Sequence, residues 1–214
     1  MSRSSEFNSE RFASTLAGLG LSSRRSAFSD LARRYGEPDR HYHTHRHIAD
    51  CLTKLDAHRA LARHPAEVEI ALFFHDAIYD PRRADNEERS ADWAASYLAR
   101  EGLDASAVQR VRSLVLATRH DAHASDDDQR LLVDIDLSIL GAPERAFDDY
   151  DRQIAREFAW LPAEQYRSGR AAVLRGFLAR PRIFATPPFF AAYEASARRN
   201  LSRALSALER AASE

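Results

Sequence analysis

Between Val68 and Tyr79 the chain reads VEIALFFHDAIY, a run that is apolar on nearly every side when wound into a helix, yet carries an imidazole and a carboxylate side by side. Val68, Ala71, Leu72 and His75 form one stripe, and Ile70, Phe73, Phe74, Ala77 and Ile78 cover most of the remainder. A helix apolar all round belongs at the centre of a fold, so this one, opened by Pro65, is expected to be surrounded by other helices. His75 and Asp76 are then expected to be interior. An unpaired carboxylate taken out of water costs many kcal/mol, so Asp76 needs a cation, a set of donors or a metal ion.

The rest of the chain suits helical surroundings. Its 214 residues include only 7 Gly and 8 Pro, and Ala, Leu, Arg and Glu are abundant, which is the vocabulary of helices. The expected fold class is all-α, a single domain spanning 1–214 without repeat or linker. Residues 1–8 are expected to be disordered, the core to lie at about 40–140, and additional C-terminal helices at about 143–212. The net charge of -1, with both signs spread throughout, gives no polyanion-binding face, so nucleic acid is not an expected partner. One cysteine, Cys51, cannot make an intramolecular disulfide, and the polar start MSRSSEFNSE lacks a signal-peptide core; both point to the cytoplasm. No run approaches the roughly 18 apolar residues that a membrane span needs.

Caps and periods place the other helices. Ser9 is a candidate cap for the first, and a second should run from about Ser23 to Tyr35, ended by Gly36 in a left-handed conformation. In HTHRHIADCLTKL the apolar residues Ile48, Cys51, Leu52 and Leu55 recur at helical spacing, with His43 and His47 on one side. NEERSADWAASYLAR and ASAVQRVRSLVLATRH follow, separated by Gly102. DAHASDDD reads as an exposed loop. In QRLLVDIDLSILG, Asp134 and Asp136 lie roughly 200° apart around the helix, so they cannot both face one site. Leu132, Ile135, Asp136, Ile139 and Leu140 share a stripe, which makes Asp136 the inward carboxylate and leaves Asp134 as a surface or capping group. Three further helices occupy the C-terminal third.

The polar residues embedded in apolar helices are thus His47, His75, Asp76 and Asp136, a mixed nitrogen and oxygen ligand set suited to a divalent ion. Such an ion would supply the counter-charge Asp76 needs and would lower the pKa of a bound water. The order of these residues resembles the HD superfamily of metal-dependent phosphohydrolases: a lone histidine, an adjacent His-Asp pair on a later helix, and a distant aspartate. The segments YHTHRHI, FFHDAIYD, DNEERSA, ATRH, DIDLSILG and EASARRNL, which together run from residue 42 to 201, are similar to a bacterial branch of that superfamily.

The resemblance implies an HD-domain-like helical bundle and metal-assisted hydrolysis of a phosphate ester or anhydride, with Asp76 at the reacting centre. His47, His75, Asp76 and Asp136 would be the ligands of one divalent ion (Mg, Mn, Fe, Co, Ni or Zn). His120, and less readily His123, would serve a second ion or a phosphate. Glu87 and Asp80 compete to orient or deprotonate the attacking water, since a carboxylate beside an activated water is a suitable base. His43 and Arg170 are candidate substrate contacts; Arg175 and Arg198 read better as salt-bridge partners, and His41 and His45 have no supporting pattern. The expected partner is a small phosphorylated molecule such as a nucleotide, with a homodimer compatible. Two alternatives are a dinuclear iron oxygenase on the same fold, which would need His120 or another histidine, and a non-catalytic module that senses a metal or nucleotide.

Overall fold

The computed structural model describes residues 7–22, 27–120 and 124–210. Among them are ten α-helices and no strand, so the fold is all-α: α1 (Ser9–Gly18), α2 (Phe28–Tyr35), α3 (His45–His58), α4 (Pro65–Phe74), α5 (Asn86–Arg100), α6 (Ala105–Leu116), α7 (Asp127–Leu137), α8 (Glu144–Glu157), α9 (Ala163–Ala179) and α10 (Pro187–Arg210). None of these helices is long and apolar enough to cross a membrane. Contacts divide the chain into two compact units, Met1–Ile135 and Asp136–Glu214.

In the first unit α4 packs against α1, α3, α5 and α6, as its all-round apolar surface requires. Every residue from Glu67 to Phe74 is buried. Phe7, Phe12, Phe28, Tyr35, Phe73, Phe74 and Tyr97 form a continuous aromatic cluster on its flank. Fully burying one such ring is worth about 1.5–3 kcal/mol, so this cluster alone strongly favours the observed helix arrangement. Two glutamates on the buried helix are neutralised individually. Glu69 accepts from Arg11 at 2.8 Å and Arg59 at 2.7 Å, and Glu67 is bidentate with Arg110 at 2.7 and 2.8 Å. A buried carboxylate tolerates its position only with such partners.

Several expectations need correction. Phe7 packs against Phe28, ring centroids 4.9 Å apart, and Asn8 caps α1 by accepting from the Arg11 amide, so order begins before residue 9 and Asn8, not Ser9, is the cap. Residues 1–6 and 23–26 lie outside the described residues; α2 starts at Phe28, and Gly36 has φ −101° because its amide closes a tight turn onto Arg33. Thr44 is extended and caps α3, which places His43 before the helix rather than on its face. The presumed loop at 121–128 already enters α7 at Asp127. Asp128 is buried because its carboxylate accepts the Arg63 and His64 amides at 2.6 and 3.0 Å, tying α7 to the start of α4.

In the second unit α10 packs on α9 and on the 3-10 turn Ser138–Gly141, which α8 also contacts. The EASARRNL segment is the organiser. Glu194 accepts the Ile183 and Phe184 amides and the Arg198 guanidinium, Arg198 also donates to the carbonyls of Leu178 and Arg180, and Asn200 donates to those of Leu140 and Ala142, both at 2.9 Å. Gly141 sits against α10, where a Cβ would come within 2.6 Å of both Cβ and the carbonyl oxygen of Tyr193. Backbone cannot yield as a flexible side chain can. Gly141→Ala is therefore expected to destabilise the protein by about 1–3 kcal/mol or more, the scale of overpacking. A melting temperature equal to that of the wild type would refute the close approach.

Candidate metal centre

α4 ends at Phe74, one turn earlier than its apolar pattern suggests, and His75 and Asp76 occupy the turn that follows. His75 keeps helical dihedrals, and its Nδ1 lies 3.0 Å from the Leu72 carbonyl. A carbonyl oxygen only accepts, so Nδ1 carries the proton and Nε2 of the neutral ring presents a lone pair. That lone pair faces Nε2 of His47 at 3.1 Å and Oδ2 of Asp76 at 3.0 Å, while His47 Nε2 and Asp76 Oδ2 are 3.5 Å apart. An acceptor nitrogen and a carboxylate oxygen at that distance repel unless positive charge lies between them. Either an additional proton on an imidazole or a metal ion would supply it. Ligand atoms ~2.0–2.6 Å from one ion lie about 3 Å apart in neighbouring positions, so the spacing suits coordination.

Asp136 joins this cluster. The division between units falls within α7, all but the last two residues of which belong to the first, so its carboxylate is carried by a helix anchored there. One oxygen of Asp136 and one ring nitrogen of each of His47 and His75 lie within 4.8 Å of one another, and this group could hold a metal ion. Both histidines are buried, and Asp136 is partly exposed. Asp76, with a side chain 15% exposed, is less interior than its sequence context suggests because it lies past the helix end. Burial pushes its carboxyl up, but when the imidazoles are protonated the charges of His75 and His43, then a hydrogen bond from the doubly protonated His75 ring and the charge of His47, outweigh this and hold it well below the ordinary carboxylate range.

Glu87 and Asp80 part company. Asp80 uses a side-chain oxygen to accept the Arg82 amide at 2.9 Å, closing a turn. Glu87 is half-buried on the first turn of α5, and burial, with a smaller contribution from the charge of Asp76, raises its pKa while His120 opposes the rise. The rest of DNEERSA fixes that placement. Asn86 bonds the amide and carbonyl of Asp80, and Ser90 bonds those of Ile78, so α5 grips the segment that leaves the His-Asp turn. Sequence reasoning missed Asn86 and Ser90; their i, i+4 spacing on a partly charged helix was the available sign. Asp85 begins α5 but pairs with Arg83 instead of capping it.

His120 follows the 3-10 turn Ala117–Arg119 with φ 58°, the one positive φ outside glycine among the described residues. Such strained backbone is concentrated at functional sites. His123 lies outside the described residues. The His43 ring packs at a tilt against Tyr79, centroids 4.2 Å apart, and acts on the Asp76 charge, so it borders the cluster. Arg170 belongs to the second unit, where it binds Asp151 at 2.7 Å and covers the Tyr150 ring; Arg175 pairs with Glu209.

Asp134 requires the largest revision. It is fully buried rather than a surface group, because Leu131 and Ser138 on its side of α7 are buried as well as Leu132 and Ile135 on the other. With both sides covered, helical phase separates the two aspartates but does not send one to solvent. Asp134→Ala is accordingly expected to cost about 3 kcal/mol, the scale of breaking a buried polar arrangement. An unchanged thermal melt would return Asp134 to the surface-like role the sequence suggested.

Comparisons with protein-family models, curated proteins and solved structures found no match to the chain.

Proposed function

We propose that the protein is a metal-dependent phosphohydrolase that cleaves a phosphate ester or anhydride of a small molecule, a nucleotide being the leading class. The observation that carries the reading is the convergence of two buried imidazoles and Asp76, with His75 fixed by the Leu72 carbonyl so that its lone pair faces a carboxylate. The second ring nitrogen of a metal-binding histidine is commonly held by a carbonyl in this way, which sets the tautomer. His47, His75, Asp76 and Asp136 would hold the ion. It would supply Lewis-acid polarisation of a phosphoryl oxygen and acidify water.

The remaining roles fall to side chains of this chain. Glu87, whose carboxyl pKa is raised by burial and by the charge of Asp76, takes the proton of the attacking water. His43, held against Tyr79, donates to a phosphoryl oxygen at the border of the cluster. A dinuclear centre is the second reading, in which His120, whose charge opposes the rise of the Glu87 pKa, would serve the second ion. The test is metal analysis of the purified protein joined to a hydrolysis screen over nucleotides and sugar phosphates. One bound ion per chain with phosphate release supports the proposal, and a dinuclear iron spectrum favours oxygen chemistry instead. A fully metal-loaded protein that binds nucleotides without turnover would indicate a sensing module.

A further inference from the structure

The connection between α2 and α3 contains a buried guanidinium with no role in the site as described. Arg40 is 6% exposed. Its Nη1 donates to the carbonyls of Asp76 at 2.6 Å and His43 at 3.2 Å, its Nη2 to that of Ala77 at 3.1 Å, and its Nε to Glu37 at 3.1 Å. The guanidinium also lies over the rings of Tyr35 and Tyr79, at 5.2 and 5.5 Å, and Tyr79 is the ring against which His43 packs. Asp76 and Ala77 follow the last turn of α4, where carbonyls lack intrahelical partners and the helix dipole is negative. A buried cation is favoured there. Arg40 thus fixes the main chain of the two residues, Asp76 and His43, whose side chains meet at the cluster from different segments.

We infer that Arg40 is a positioning residue that sets the ion affinity of the cluster by locking the Asp76 turn and the His43 segment in one register. The inference rests on the ion-binding reading above. It depends on a planar fork: a lysine ammonium has the charge but not the forked donors that span the carbonyls of His43, Asp76 and Ala77. Groups that orient ligands typically govern metal affinity by about 10- to 100-fold, and that is the effect expected here.

The experiment uses the full chain, stripped of metal, as wild type, Arg40→Lys and Arg40→Ala. Mn2+ affinity is measured by titration calorimetry, folding by thermal melting, and the imidazole signals by NMR. Arg40→Lys should melt cooperatively yet bind Mn2+ about 10- to 100-fold more weakly. Signals of His43 and His75 should move, while those of His58 and His64, which bond to Lys54 and Asp128, stay in place. Added ethylguanidinium should partly restore affinity to Arg40→Ala. Wild-type affinity and imidazole signals in Arg40→Lys would overturn the inference, as would global unfolding of both variants. If the wild type itself binds no Mn2+, the proposed function falls, and the imidazole comparison still decides whether Arg40 positions these side chains.

Discussion

Asp76→Ala is expected to abolish stoichiometric ion binding and, with it, phosphate release. The substitution removes the carboxylate oxygen that lies 3.0 Å from His75 Nε2 and 3.5 Å from His47 Nε2, the negative charge around which the two imidazoles are gathered. His47, His75 and the partly exposed Asp136 remain, a set with less negative charge and fewer oxygens for a divalent ion. Because the Asp76 side chain lies past the end of α4, its loss should leave the helical content and the α4 core intact. Elemental analysis after dialysis, beside a circular dichroism spectrum, checks both halves of the expectation. A folded variant that keeps a full equivalent of metal would remove Asp76 from the ligand set.

Glu87→Gln should retain the ion and the fold but lower kcat by about 100-fold or more, the usual scale for losing a general base. The amide keeps the size and one acceptor oxygen while removing the basic lone pair. Since burial raises the Glu87 pKa, activity in the wild type should fall as pH drops through a value above the ordinary glutamate range, where the carboxylate becomes protonated. That acidic limb should vanish in the variant. Asp80→Asn is the matching control: its carboxylate serves the Arg82 turn, so its effect should be on local stability more than on kcat. Near-full activity in Glu87→Gln with loss in Asp80→Asn would exchange the two roles, and loss of metal in Glu87→Gln would make Glu87 a ligand of a dinuclear centre.

The chain by itself determined its helices, because capping, turn chemistry and the 3.6-residue period are local. The all-round apolar surface of α4 required a central position, and the structure provides it, down to buried glutamates that the pattern could not explain without Arg11, Arg59 and Arg110. The association of His47 with His75 and Asp136 was legible for a related reason: a polar group repeated on buried faces needs a common partner. Tertiary structure alone decided the rest. Helical phase assigned one side of α7 to solvent, but neighbours cover both sides, so Asp134 is buried. Of the two carboxylates Glu87 and Asp80, only packing showed that Asp80 serves a local turn, by accepting the Arg82 amide. Arg40 sat in a polar connection with nothing to distinguish it from a surface cation, and its place became visible only when α4 ended and left the Asp76 and Ala77 carbonyls facing it. Periodicity records which face of a helix is apolar; it does not record what approaches that face, and long-range charge and hydrogen-bond partners are fixed only when the helices pack.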